Sequence, residues 1–495
     1  MAIHCFRRLI GLLAAPLVLA LLPAGCTDDP GGPPQVVVIG PEPRLADPQT
    51  GPLNSSDALL LQNIAQGLVA FDQGGNIVAG LAERWNVSND GLSYIFRIAS
   101  ARWANGSKVT AEQVARLLRR QIQGASRNPL RDPLGAVGEI VAMTDRVIEI
   151  RLNAPRPNLL SLLAQPELGL VRNGHGTGPF AMDGKAPDGA VRLKRTIENI
   201  ETDETREEGV LLSGKPADEG VAAFIAGKAD LVVGGTFADL PIARQVRRPR
   251  NALRFDPASG LFGLAPGGRG GPFATEEWRR LLNRAIDRDS FLAAIAVPGL
   301  TPRATLLEAG LDGLAAPAAP AWTAEPVGDR RIGLAAAAKA LLGDPDEPPE
   351  IRVLLPRGLG ADVLLRELEL DWSYLGLRVV RADSAQSADY VLIDEVAPSA
   401  SPAWFARRFR CDIVPVCDPE VDELLQAARD AQIPAQRYAL IAQAAARIDD
   451  QALFLPIAAP VRWALVGDRI NSFVWSRFAR HSLVGLDRDA AGKER

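Results

Sequence analysis

Apolar and polar positions change their period several times along this chain, and each change marks an element. In ERWNVSNDGLSYIFRI, Trp85 and Val87 alternate with polar residues before Asn89-Asp90-Gly91, and Leu92, Tyr94, Phe96 and Ile98 alternate after it. Period-two alternation sends one set of side chains to one face of a strand, and Asp-Gly accepts the positive φ angles of a tight turn. An antiparallel hairpin is predicted, with Trp85, Tyr94 and Phe96 assigned to the core. The spacing then becomes helical. Thr110 and Gln113 in TAEQVARLLRRQI form a capping-box pair, and Val114, Leu117, Leu118 and Ile122 share one face. Upstream, Leu60, Ile64, Leu68 and Phe71 predict an amphipathic helix with Ser56 or Asp57 as its N-cap, and Trp278, Leu281, Leu282, Ala285 and Ile286 predict another behind Thr275.

Strands are read at QVVVIG, RVIEIRL and the end of EGVAAFIAGKADLVVGG, where Gly227 stops a helix before the strand begins. Further on, IRVLLPRG (strand), ADVLLRELELDWSYL (helix), Gly376 (stop), LRVVRA and DYVLIDE (strands) make a βαβ-type unit, which implies a mainly parallel sheet covered by helices. Residues 314–326, rich in Ala and Pro, read as a surface connection. Asp418 caps a helix that has Pro419 at its first position, a second helix follows, and LFLPIAAPVRWALV supplies closing strands. No internal repeat or coiled coil is present.

Composition narrows the function classes. At 495 residues the chain has room for several domains of about 100–200 residues each. Its formal charge of −4 and lack of a long basic run argue against a nucleic-acid partner. No G-x-S-x-G, G-x-x-x-x-G-K-[ST], H-E-x-x-H or C-x-x-C pattern occurs, so no catalytic residue, metal ligand or cofactor is assigned. The pair Asp449-Asp450 reads as a solvated helix surface. The run NGHGTGPFAM at 173–182 has the look of a phosphate loop, but its glycine spacing is wrong and Pro179 deletes a donor. It reads instead as a bend, with His175 exposed and Phe180 turned inward.

The first residues, MAIHCFRRLIGLLAAPLVLALLPAGC, place Arg7 and Arg8 before an apolar run ending at Cys26, a secretory leader over 1–26 with a Pro/Gly-rich tether over 27–35. LLPAGC resembles the lipobox of bacterial lipoproteins, which implies lipidation of Cys26 and attachment to a membrane. Pro23 departs from the usual aliphatic residue there, and plain secretion is the alternative. Beyond the leader only Cys411 and Cys417 remain; a disulfide is expected in an oxidising compartment, against free thiols or a metal pair.

Several blocks, in order, resemble the family 5 extracellular solute-binding proteins of peptide-type ABC importers. GLAERWNVSNDGLSYIFRI is similar to the family's P-x-L-A-E-x-W-x-V-S-x-D-G-x-x-Y-x-F-x-L, ARWANGSKVTAEQV to its F-H-D-G-x-P-x-T-A-E-D-V, GTGPF to G-T-G-P-[YF], and WRRLLNRAIDRDSF to V-R-x-A-x-x-x-A-I-D-R. The resemblance implies a bilobal α/β, periplasmic-binding-protein-like fold of type II, cluster C. A discontinuous first lobe would comprise 36–51, 174–254 and 453–487. An inserted subdomain would occupy 52–173, and a second lobe 255–452. NGHGTGPFAM would then be the re-entry into the first lobe.

The same resemblance implies a monomer that captures an oligopeptide or similar small solute in the periplasm or cell envelope and delivers it to an ABC permease and its ATPase subunits. Family members hold a peptide's amino terminus with an acidic residue of the second lobe, which points to Asp394. Trp404, Phe405 and Trp463 are candidate aromatic walls, and Asn54 and Ser55 weaker candidates. A nickel-chelate or haem binder on the same fold, and an envelope hydrolase, are the alternatives.

Overall fold

The computed structural model describes residues 32–486 apart from 73, 104–105, 200–203 and 344. The leader, Cys26 and all but 32–35 of the tether lie outside the described residues, as does residue 487.

The larger sheet has seven strands, in the order Ala181–Lys185, Val191–Asn199, Glu204–Lys215, Gln35–Ile39, Leu231–Thr236, Arg462–Val466 and Leu253–Asp256. Gln35–Ile39 lies parallel to both of its neighbours. Its unbroken apolar run is the signature of a strand buried on both faces. Val36 and Val38 pack with Leu60, Ile64 and Leu212 on one side, while Val37 meets Val221 and Phe224 of the helix Ala217–Ile225 on the other.

The second sheet orders five strands as Arg378–Arg381, Glu350–Leu354, Tyr390–Val396, Gly260–Pro266 and Leu455–Ala458. The βαβ unit pairs in parallel through the crossover helix Leu359–Ser373. Gly260–Pro266, however, runs antiparallel to both of its neighbours, so the sheet is mixed and not mainly parallel. The chain crosses between the two sheets at 257–259 and again at 459–461, where a strand of one sheet is followed within a few positions by a strand of the other.

A third, antiparallel sheet orders Ala82–Val87, Ser93–Ile98, Val147–Leu152 and Val137–Thr144. The helix Ala111–Ile122 covers it, begun by the complete Thr110/Gln113 capping box. Tyr94, Phe96, Ile98, Trp103, Val114 and Leu118 form its core, with Trp85 partly buried against them.

Several expectations shift. The helix Ser55–Ile64 stops before Leu68 and Phe71, and its N-cap is Asn54, whose side chain accepts from the Asp57 amide at 2.9 Å. That helix packs under the seven-stranded sheet and not in the subdomain core. Leu455–Ala458 pairs in the five-stranded sheet, which moves the second crossing past Ala458. Asp449, expected to be solvated, is instead largely shielded and accepts the Leu306 amide at 2.8 Å. Burial pushes its carboxyl up to about 7.

The stretch at 173–180 makes a tight hairpin with Asn173 and Gly174 at φ 52° and 78°. A Cβ on Gly176 would lie 1.9 Å from the Ile64 carbonyl oxygen, so only glycine lets the strand pass there. The Gly178 amide then donates to that oxygen at 2.9 Å and the Phe180 amide to Asn63 O at 3.0 Å, closing the exposed end of the helix. His175 is exposed and Phe180 buried. Cys411 and Cys417 are joined in a disulfide with Cα atoms 5.1 Å apart.

Candidate functional site

A cavity of about 610 Å³ opens between the seven-stranded and five-stranded sheets, next to the two crossings. Val38, Ser55, Leu59 and Gln62 line it from the first sheet's side, Asp394, Glu395 and Trp404 from the second's, and Pro129, Leu130 and Glu167 from the subdomain. The C-terminal segment contributes Phe478, Arg480 and His481. These side chains come from at least five separate stretches of chain, which the fold alone assembles.

Asp394 sits in the strand Tyr390–Val396, opposite Phe262. Arg462, on the far side of the second crossing, donates to its Oδ1 at 2.8 Å and to its carbonyl at 3.0 Å. Oδ2 takes no protein hydrogen bond among the described residues. Burial pushes the Asp394 carboxyl up; Arg462 pulls it back in part, and Glu395 and Asp239 push it further up. Asp239, also on the cavity wall, is raised by burial as well, offset in part by the Thr236 hydroxyl, 3.0 Å away, and the Thr236 backbone. Two neighbouring carboxylates thus have a single cation between them, Arg462, among the described residues.

Arg480 presents the opposite imbalance. Its Nη1 is buried without a hydrogen-bond partner, and its guanidinium makes no ion pair among the described residues. It rests 5.8 Å from the centroid of the Phe71 ring. Burial holds its pKa below the usual arginine range, and the nearby charge of Glu167 offsets this in part. Oε2 of Glu167 is likewise buried and unpartnered. His481, by contrast, is fixed: Nε2 lies 3.0 Å from Asp256 Oδ2 and its ring stacks on Phe473.

Of the candidates read from sequence, the structure brings Asp394, Trp404, Trp463 and Ser55 to this cavity. Trp463 is almost wholly buried, with Nε1 donating to Thr236 O at 2.8 Å, so it forms the floor and not an open face. Phe405 is not at the cavity: it is fully buried in the second core, edge-on to Trp404 at 5.0 Å. Asn54 is spent on its helix cap and on Asp57. Sequence reading missed Arg462, Arg480, Glu167 and Asp239, which lie outside any motif and gain their meaning only from what surrounds them.

Residues 76–347 match the family described as bacterial extracellular solute-binding proteins, family 5 Middle. The chain belongs to this family. Family 5 proteins bind solutes for transport. A probable di/tripeptide-binding protein 5 of Pseudomonas aeruginosa is 25% identical over 83% of this chain and 88% of its own length. The probable deoxycholate-binding periplasmic protein YgiS of Escherichia coli is 29% identical, but the match spans 31% of this chain and only 32% of that relative. Among solved structures, the Escherichia coli murein tripeptide binding protein MppA superposes with a TM-score of 0.76 at 16% identity, covering 91% of this chain and 97% of its own. Haemophilus influenzae OppA, in complex with RPPGFSPFR, gives 0.75 at 16% identity over 91% and 98%. NikA from Brucella suis, in complex with Fe(III)-EDTA, gives 0.72 at 17% identity over 90% and 98%. The family 5 chain thus has the bilobal, mixed α/β periplasmic-binding fold. Among the described residues no helix is long and apolar enough to cross a membrane, and no group of three or more His, Cys, Asp or Glu is placed to hold a metal ion.

Proposed function

We propose that this family 5 protein is the solute-capturing component of an ABC importer, and that its ligand is a short peptide with both termini free. The observation that carries this reading is the split imbalance of the cavity: Asp239 has no cation partner and Asp394 has Arg462 on one oxygen only, while Arg480 has no ion-pair partner among the described residues. A zwitterion satisfies both at once. Its ammonium would take Oδ2 of Asp394 and its carboxylate the free Nη1 of Arg480, each a charge-assisted hydrogen bond in a shielded site. Trp404 and the apolar residues Val38 and Leu59 would flank the side chains between them. A volume of about 610 Å³ falls within the usual span, roughly 300–1,000 Å³, of small-ligand pockets.

Capture fits the two crossings. Rotation about 257–259 and 459–461 would part the sheets, and a ligand touching both walls would favour the closed arrangement because only that arrangement offers both contacts. Delivery to a permease and ATPase, a monomeric state, an envelope location and lipid attachment through Cys26 complete the reading; the order of the leader and the family membership support them.

Calorimetry with trialanine, its N-acetyl form and its C-terminal amide tests the ligand class. Trialanine should bind, with each capped form at least about 10-fold weaker. Equal binding of all three, or of none, contradicts the zwitterion reading. A metal chelate is the second reading, favoured by the same free guanidinium, which would accept a chelator's carboxylate. In that case a chelated metal ion should bind where trialanine does not.

A further inference from the structure

A second cavity, of about 750 Å³, lies beside the first crossing. Pro257, Ala258 and Ser259 of the crossing form one side, and the Ala- and Pro-rich connection, with its short helix Ala321–Ala324, forms another. Four arginines reach its wall: Arg288, Arg303, Arg330 and Arg477. Only two carboxylates do, Asp289 and Glu308. Glu308 is shared between Arg303 and Arg477, the latter at 3.3 Å, and also accepts the Ser259 hydroxyl.

The other two arginines have no ion-pair partner among the described residues. Arg288 is buried and clamped by neutral oxygens: Arg303 O at 2.8 Å, Pro456 O at 2.7 Å, Asn283 O at 3.1 Å and Asn283 Oδ1 at 2.5 Å. These fix its plane without cancelling its charge, and burial together with the charge of Arg330 brings its pKa down to about 9. Arg330 donates to the carbonyls of Trp322 and Glu325, and its Nε is buried without a partner. Both guanidiniums lie 5.2 Å from the centroid of the same indole, Trp322. Of the further carboxylates whose charge reaches the pair, Asp287 and Asp371 are taken by Arg331 at 3.8 and 2.7 Å, and Glu325 lies near Arg330 without an ion-pair contact.

Two like charges brought to one aromatic ring repel each other, and cation–π contact offsets only part of that cost. The cavity wall thus carries an excess of two positive charges, immobilised before any ligand arrives. We propose that this cavity is a second ligand site, which takes a small oxyanion carrying two or more negative charges, carboxylate or phosphate. Arg330 and Arg288 supply the charge, and Trp322 orients them. Nothing in this reading depends on the ligand of the cavity between the sheets.

Calorimetry on the mature chain at fixed ionic strength, with citrate and inorganic pyrophosphate as probes, tests it. At least one probe should bind saturably at one site; citrate alone points to a carboxylate source and pyrophosphate alone to a phosphate source. Arg330→Gln should weaken that binding about 10-fold or more, and Arg330→Lys should restore part of it. Asp289→Asn, an exposed change that removes a repelling charge, should tighten it about threefold. Arg480→Gln should leave it unchanged. Absence of saturable binding by both probes overturns the proposal. So does an unchanged or weakened affinity in Asp289→Asn, or binding abolished by Arg480→Gln.

Discussion

The subdomain sheet and the cavity between the two larger sheets treat charge in opposite ways. On the subdomain, charged residues sit on the outer face and meet partners: Glu83 takes Arg97 at 2.8 Å and Arg146 at 3.2 Å, and Arg151 bridges Glu139 and Glu149 at 2.8 and 2.7 Å. The core between that sheet and its covering helix is built of apolar and aromatic side chains. In the cavity, Asp394, Asp239, Glu167 and Arg480 are shielded from water with partners missing or incomplete. An unpaired shielded charge destabilises a fold; the subdomain holds Arg156, whose Nε is buried without a partner, whereas several such groups gather round the cavity, which marks a surface shaped for something other than stability.

The sharpest way to break this contrast is to remove mass from the first region and charge from the second. Phe96→Ala empties a fully buried position of the subdomain core and should cost about 3–5 kcal/mol in chemical denaturation, with trialanine affinity retained by the folded fraction. A cost under about 1 kcal/mol would mean that the core is not packed as described. Arg480→Gln should do the reverse. Trialanine affinity should fall about 30-fold or more, with stability unchanged or slightly raised, because the charge it removes has no partner in the unliganded protein. Loss of stability without loss of affinity would make Arg480 structural.

Asp394→Asn should lower trialanine affinity about 10-fold, and pH should act on the same contact. An ammonium needs ionised carboxylates, and burial raises both Asp394 and Asp239. Affinity should therefore be full around neutral pH, below the ligand's amino pKa of about 8, and decline on acidification sooner than exposed aspartates would allow. Titration of affinity against pH checks this, and a flat profile would remove both carboxylates from the site.

The smallest effect concerns Asp449, away from both regions. Its carboxyl is raised to about 7 in the folded protein, from about 3.9 when unfolded, so the native state holds the extra proton between those values. Stability from this group is full below pH about 4 and is lost as pH rises towards 7. Asp449→Asn should stabilise the protein by about 1–2 kcal/mol at pH 8 and flatten that slope, as measured by denaturation at several pH values.

The same contrast explains what could be read from sequence. The hairpin around Asn89-Asp90-Gly91 and the Thr110/Gln113 cap are local: every residue that decides them lies within a few positions. The mixed direction of the five-stranded sheet was hidden, because Gly260–Pro266 pairs with strands over 120 positions away. The family resemblance points to Asp394, yet Arg462, which pairs with it, lies 68 residues on. Arg480, in WSRFARHSL, carries no local mark at all; only the fold shows that nothing pairs with it. Phe405 was misplaced because adjacent aromatics look alike in sequence, while the helix Pro402–Arg407 turns Trp404 to the cavity and Phe405 to the core.

Native mass spectrometry of the protein taken gently from the cell envelope tests the central claim most directly. A ladder of adduct masses matching short peptides, lost in Arg480→Gln, is the predicted result. A protein that is always empty, or one that carries a metal chelate or tetrapyrrole mass in place of peptides, would contradict it.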